Sequence, residues 1–259
     1  MNERIDSRQT TGKAKGLVLR DGERTNHEGK AVRNKILLSI SDADYKRLRP
    51  ALEFVELPHH MNLHEPTQKL KFAYFLNSGL ASIVVATKGG RDVEAGVVGR
   101  EGFVGTGLAV GLDRSPLCEV VQISGSAFRV SARAVDLAVT AGPDLQMRLS
   151  RYAVLQGMQV AQTAACNRLH DVAQRLARWL LMAQDRVESG TLPITHDFLA
   201  IMLGTDRPSV SLAAAALQEK RVIRYHRGTV EILNRKRLEA SACVCYGVIQ
   251  HLNGELGLK

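Results

Sequence analysis

The sequence has few aromatic residues and little cysteine. Phe, Trp and Tyr make up 5% of its 259 residues, with a single Trp. That argues against a single-strand binder that stacks successive bases on rings. Four cysteines, Cys118, Cys166, Cys243 and Cys245, are too few for a disulfide framework in a chain of this length. No uninterrupted apolar run approaches the roughly 18 residues of a membrane helix, so no membrane partner is expected. Residues 1–35 are polar and charged, without the apolar stretch of a signal peptide. The expectation is a cytoplasmic protein with reduced thiols. Ser-His-Asp sets, paired carboxylates and metal-ligand constellations at a usable spacing are also missing, so no catalytic residue and no metal ligand is assigned. The chain is read as a non-enzyme.

What the sequence does have is positive charge. Lys and Arg number 35 against 26 Asp and Glu, a formal net charge of +9, which points to an anionic partner. Part of it lies in residues 1–33, read as a flexible basic tail. From residue 34 the texture is globular, with 45% hydrophobic residues overall. Between Phe54 and Val130 short apolar or alternating runs are punctuated by glycine, which predicts an antiparallel β-roll over residues 34–142. Gly89-Gly90 is expected as a hairpin turn. His59, His60 and His64 are expected as exposed loop residues.

After Ser131 the period changes from two to about 3.6. A short helix over 132–139 precedes a long one over 143–170. Leu145, Leu149, Tyr152, Gln156, Gln159 and Thr163 recur along it at alternating spacings of four and three, a seam of about 30 Å. This seam is expected to be a two-fold dimer interface. Cys166 and His170 stand at i, i+4 near its end and are read as packed hinge residues. Asp171 caps a further helix with Leu176, Trp179, Leu180 and Ala183 on its core face.

Residues 195–217 are the most informative. Thr195 is a helix N-cap, Ala200 supplies the small residue where two helices cross, and Gly204 supplies a turn position with φ > 0. Leu199, Leu203, Val210, Ala213 and Leu217 supply the apolar lock. Asp206 caps the second helix, and Pro208 sits harmlessly in its first turn. Arg207, Pro208, Ser211 and Leu212 then form an exposed face placed to enter a major groove, where Arg207 can hold the O6 and N7 of guanine. Ser209, Ser211 and Thr195 are expected at phosphate or base edges. The alternating runs around Arg227-Gly228 predict a hairpin wing. Between Ile201 and Arg237 eight bases outnumber three acids, and basic groups on a wing grip phosphates. The reading is an α+β protein with a winged helix-turn-helix over 171–240 and an extension over 241–259. Cys243 and Cys245 are read as two ordinary thiols in that extension.

The order β-roll, long helix, winged helix-turn-helix resembles the cyclic-AMP receptor protein/fumarate–nitrate regulator (Crp/Fnr) superfamily of bacterial transcription regulators. The resemblance covers about residues 34–237. It rests on Tyr74-Phe75-Leu76-Asn77-Ser78-Gly79, on Gly99-Arg100-Glu101-Gly102-Phe103-Val104-Gly105, on residues 171–181, and on Leu203-Gly204-Thr205-Asp206-Arg207-Pro208-Ser209-Val210. It implies a cyclic-nucleotide-binding-like sensor domain, a homodimer on a pseudo-palindromic operator, and double-stranded DNA and RNA polymerase as partners. The family's reading arginine falls on Arg207, while Pro208 stands where the family usually has Glu. Its effector pocket falls on Gly105, Thr106, Gly107, Leu108, Arg114 and Ser115, with Thr106 where cyclic-AMP binders carry Glu. No cofactor is assigned. A cyclic nucleotide, an unidentified ligand and ligand-independent action all stay open. The absence of cysteine before Cys118 argues against the iron–sulfur centre of the family's oxygen sensors. The alternative reading is a regulatory module acting through protein partners, with a degenerate helix-turn-helix.

Overall fold

The computed structural model describes residues 19–87 and 92–255. Two short helices, α1 (Lys35–Ser39) and α2 (Asp42–Leu48), lead into β1 (Glu53–Leu57), β2 (Asn62–His64), β3 (Phe72–Val85), β4 (Val93–Val98), β5 (Phe103–Val104) and β6 (Cys118–Ser131). The sheet is antiparallel, in the order β1-β6-β3-β4, with β2 on β6 and β5 on β3. Its inward side chains, among them Phe75, Phe103, Phe128 and Leu76, are fully buried. The expected turn at Gly89-Gly90 lies outside the described residues, although the two strands it would join do pair antiparallel.

Two of the glycines that punctuate the apolar runs mark bends within long strands. Gly79 and Gly125 face each other where the β3–β6 register shifts, and a Cβ on Gly79 would stand 2.5 Å from the carbonyl oxygen of Ile123. Without side chains the two backbones approach closely and both strands run on.

The tail expectation needs correction over its second half. Residues 19–33 are folded onto the roll. Arg24 is buried, donates to the carbonyls of Leu37 and Ile40 at the end of α1, pairs with Asp42 at 2.7 Å, and lies over the Tyr45 ring. Asn26 is buried too, donating to the Leu52 carbonyl and accepting from the amides of Glu28 and Lys30. Helix-end carbonyls need donors, and a charged one suits the negative end of the dipole. The basic residues from 4 to 15 lie outside the described residues.

Helices α3 (Ala132–Ala141) and α4 (Pro143–Leu169) follow. Gly142 offers α4 no side-chain cap; Asp44 of α2 accepts from the Leu145 amide at 2.9 Å instead. The seam expected to form a dimer is turned inward, which corrects that assignment. Leu145, Leu149 and Tyr152 belong to the core of the roll, and Tyr152 packs on Phe103 at 5.5 Å between ring centroids. Each polar member has a partner within the chain. Gln156 accepts from Thr106 at 3.1 Å, Gln159 donates to Asn253 at 3.2 Å, and Thr163 accepts from Arg178 at 3.3 Å. The outward face has its own four-and-three repeat, Met147, Arg151, Val154, Met158, Ala161 and Ala165, all exposed.

The C-terminal part consists of α5 (Val172–Val187), β7 (Thr191–Leu192), α6 (His196–Leu203), α7 (Arg207–Glu219), β8 (Ile223–His226), β9 (Thr229–Ile232), α8 (Arg235–Ser241) and α9 (Cys245–Glu255). Asp171 and Gln174 form a reciprocal capping box at the start of α5. Leu176, Trp179, Leu180 and Ala183 are buried as expected. Their core also takes in Leu80, Val97 and Ile123 from the roll. No helix among the described residues is long and apolar enough to cross a membrane.

Candidate nucleic-acid interface

Helices α6 and α7 meet through buried Leu199, Ala200, Leu203, Val210, Ala213 and Leu217. Thr195 caps α6 by accepting from the Phe198 amide at 3.2 Å. Gly204 ends that helix in the left-handed region at φ 55, and its amide returns to α6 carbonyls. A residue with a Cβ would be strained there. Asp206 then caps α7, accepting from the Ser209 amide at 2.7 Å; those hydrogen bonds hold its carboxyl below the ordinary range. The helix starts by local chemistry, and its first turn faces outward.

On that first turn Arg207 and Pro208 are exposed, and so is Leu212 in the next turn, at 74%. Arg207 lies 3.3 Å from Asp197 of α6, with both side chains mostly in solvent, so the pair is weak and readily exchanged for a stronger anion. Ser209 is half-buried. Ser211 is less free: its hydroxyl donates to the Arg207 carbonyl and lies 3.0 Å from Nδ1 of His196. That histidine stacks on Tyr225 of the wing at 3.9 Å. Burial, and then the Arg207 charge, lower its pKa below the ordinary value. Sequence reasoning missed His196 and Asp197, which stand at positions with no local signal for pairing with α7.

The wing is a three-stranded sheet in the order β7-β9-β8. Arg227 and Gly228 at its tip both have positive φ, 45 and 76, as a two-residue type I′ hairpin requires. Arg227 is exposed beside the α6 N-terminus, where Thr195 Cγ2 is 3.4 Å from a Cβ built on Gly228. Of the eight bases counted from the sequence, Arg224 pairs with Glu231 and Arg235 with Asp185 and Glu239. Lys220, Arg221, Arg227 and Lys236 make no ion pair among the described residues and are exposed.

The glycine-rich loop of the roll is arranged differently. Residues Thr106–Val110 form a 3-10 turn whose Leu108 is buried. The Gly105 amide faces Glu119, and Gly107 is hemmed in by Leu112. The Thr106 hydroxyl is held by Gln156 of α4. Arg114 is exposed and donates to the Thr67 carbonyl at 2.8 Å, while the Ser115 hydroxyl accepts from the Leu117 amide. These hydrogen bonds run to Gln156, Thr67 and Leu117, so they do not join Thr106 to the Arg114–Ser115 pair. His64 corrects another expectation. It is buried on β2, hydrogen-bonded to Glu119 and 2.8 Å from the Phe72 carbonyl. Exposing its ring in a loop would take from buried Glu119 its closest hydrogen-bond partner.

Roll and reader are joined by buried polar contacts. Glu94 of β4 accepts from Trp179 of α5 at 2.7 Å and from Ser82. Burial raises its pKa from 4.5 to about 7, against the pull of Ser82, Trp179, Arg178 and Arg186. Arg186 of α5 pairs with buried Glu101 at 2.7 Å. The four residues singled out as two separate pairs, Cys166 with His170 and Cys243 with Cys245, are neighbours in space. The hydrogen bond shared by Cys166 and Cys243 lowers the pKa of the Cys243 thiol below the ordinary range and raises that of Cys166.

A β-roll joined through a long helix to a winged helix-turn-helix defines a class of protein in which a helix-turn-helix domain is packed on an antiparallel roll. Residues 174–241 match the Crp-like helix-turn-helix domain. The chain is similar to many solved structures at low identity, three of which illustrate the match. These are FixK2 from Bradyrhizobium japonicum (TM-score 0.64, 15% identity, 74% of this chain and 98% of that one), the c-di-GMP-responsive global regulator CLP from Xanthomonas campestris (0.61, 17%, 74% and 99%), and a CRP-family transcriptional regulator from Thermus thermophilus (0.60, 21%, 73% and 96%). No curated protein matches the chain in sequence. This chain therefore carries a Crp-like helix-turn-helix domain on the Crp/Fnr fold.

Proposed function

We propose that this protein is a transcription regulator of the bacterial cytoplasm that binds a pseudo-palindromic DNA operator as a homodimer. The observation that carries this reading is the N-terminal half of α7, where Arg207, Pro208 and Leu212 are exposed beside a basic wing tip. Arg207 reads guanine through two hydrogen bonds, and Arg227, Lys220 and Arg221 hold phosphates. Pro208 offers no donor or acceptor, so the second reading position contributes shape and apolar contact only.

Dimerisation uses the outward seam of α4. Val154 and Met158 supply the apolar contact, and Gly157, Ala161, Ala164 and Ala165 let two helices approach closely. Two recognition helices then fall on half-sites about one DNA turn (~34 Å) apart. Control by the roll runs through the Glu94–Trp179 and Glu101–Arg186 contacts, which set where the reader sits. An effector acts only by binding one arrangement of roll and reader better than the other. RNA polymerase is the partner such a regulator addresses once on DNA.

The test is selection of palindromic duplexes from a random pool, followed by affinity measurement against random duplex at about 150 mM salt. Tighter binding to the selected site, lost in Arg207→Ala, is the expected result. Equal affinity for both duplexes, unchanged by Arg207→Ala, would overturn the reading.

A further inference from the structure

Cys166 lies in the last turn of α4, His170 is its C-cap residue, and Cys243 and Cys245 flank the start of α9. The fold brings these four together from two ends of the C-terminal half. One ligand atom from each lies within 4.8 Å of all the others. Cys166 Sγ and Cys243 Sγ are 3.4 Å apart, and Cys245 Sγ is 3.7 Å from His170 Nδ1. A tetrahedral ion with Zn–S near 2.3 Å and Zn–N near 2.0 Å sets its ligands roughly 3.5–3.8 Å apart. The Cys166–Cys243 and Cys245–His170 contacts are close to that spacing, and the remaining ligand pairs stay within 4.8 Å. An iron–sulfur cluster occupies the space between its thiolates and needs them spread further.

The surroundings point the same way. The three cysteines are buried, at 0%, 5% and 2% exposure. The Gln162 side-chain amide donates to Cys245 Sγ at 3.0 Å, and the Cys245 backbone amide donates to Cys243. On α5, Arg175 and Arg178 are buried, and neither forms an ion pair among the described residues. Nε of both and Nη1 of Arg178 lack a hydrogen-bond partner. Both arginines are within electrostatic reach of Cys166 and Cys243. Glu94, which Arg178 also reaches, is already held by Ser82 and Trp179. Buried guanidinium N–H groups without a counter-charge or an acceptor are costly. Three thiolates and a neutral imidazole around a divalent cation carry a net charge of −1, and their sulfurs accept N–H donors. The unpaired N–H groups of these two arginines and the thiol cluster account for each other.

We propose that Cys166, His170, Cys243 and Cys245 form a mononuclear zinc-class site that clamps α9 to the joint between α4 and α5. Metal uptake there releases thiol protons, so affinity falls with falling pH. His170 ends α4, and the adjacent Asp171 caps α5, so the clamp grips the turn through which the reader leaves the long helix. Resting on the reading of α7 as a DNA reader, metal loading then sets the angle of that reader and with it DNA affinity.

The experiment uses full-length protein, reduced and stripped with a chelator, then titrated with Zn²⁺ alone and with Co²⁺ alone. One equivalent per chain is expected, with the visible bands of tetrahedral cobalt and a near-ultraviolet sulfur-to-cobalt transition, both abolished by added Zn²⁺. Gln162→Ala is expected to weaken binding by about 10–100-fold, as for other hydrogen-bond partners of metal ligands, and Cys243→Ser and Cys245→Ser by more. Cys118→Ser, outside the cluster, leaves stoichiometry unchanged. Should a serine variant fail to fold, the wild-type cobalt spectrum still decides: an octahedral spectrum, or none, overturns the site. So does a Cys166–Cys243 disulfide in the isolated protein that, once reduced, takes up no metal. DNA affinity of stripped and Zn²⁺-loaded protein is expected to differ, and equal affinity overturns the coupling. Failure of both forms to bind DNA would instead overturn the reading of α7, leaving the cobalt result to stand by itself.

Discussion

The first turn of α7 and the glycine-rich loop of the roll were both singled out as binding surfaces, yet the fold treats them in opposite ways. On α7 the side chains of Arg207, Pro208 and Leu212, proposed to meet DNA, face solvent, while Asp206 accepts from the Ser209 amide. In the roll, Thr106 is held by Gln156 and Arg114 by the Thr67 carbonyl. A helix N-terminus can satisfy its amides with one cap residue and leave the next side chains free. A loop packed under a long helix satisfies its polar groups with whatever lies opposite, so its side chains become part of the packing. Residue type is thus a better guide to ligand contact in the first setting than in the second.

The largest effects should come from α4, which connects the two regions. Leu149→Ala on the inward face should lower stability by about 2–5 kcal/mol in denaturant unfolding. Val154→Glu on the outward face should leave unfolding nearly unchanged and convert dimer to monomer in sedimentation. The reverse assignment of these two outcomes would restore the seam expected from the sequence. Next, Arg207→Ala should cost about 1–3 kcal/mol of discrimination at one base pair, measured on point-mutated operators. Arg227→Ala should weaken all duplexes alike and reduce the salt-dependence slope by about one; base-selective loss there would make the wing a reader.

Smaller effects are expected at the joint between roll and reader. The folded protein holds the Glu94 proton more tightly than the unfolded chain, because its pKa rises from 4.5 to about 7. The stability this group contributes is therefore full below about pH 4.5 and declines as pH rises towards 7. Glu94→Gln should flatten that part of the stability–pH profile, and an unchanged profile would exclude Glu94 as its source. Smallest of all should be the response to cyclic AMP. With Thr106 held by α4, the nucleotide should give no thermal shift in wild type or in Arg114→Ala. A shift lost in Arg114→Ala would place an effector in the glycine-rich loop after all.

Much of the reader was legible because its signals are local. Thr195, Gly204, Asp206 and the Arg227-Gly228 turn each act on backbone within a few residues, and each occupies its expected role. The roll was legible as strands but not in their length, since a glycine that bends a strand looks like one that ends it. Arg24 and Asn26 looked like members of a mobile tail because their partners, the end of α1 and Leu52, are distant in sequence.

By itself the sequence determined the helix-turn-helix, the wing, the alternation of the roll, and the existence and length of α4. Periodicity, caps and turn residues are short-range and need no knowledge of what packs where. Only the tertiary structure decided which face of α4 is inside. Two four-and-three repeats run along that helix, offset by two residues and so on nearly opposite sides, and the sequence marks both. Tyr152 fits under Phe103, and Gln156, Gln159 and Thr163 find partners on three other elements, so the first repeat turns inward and the second outward. The same long-range packing brings Cys166 and His170 beside Cys243 and Cys245, because α9 folds back along α4, a contact that no local pattern encodes.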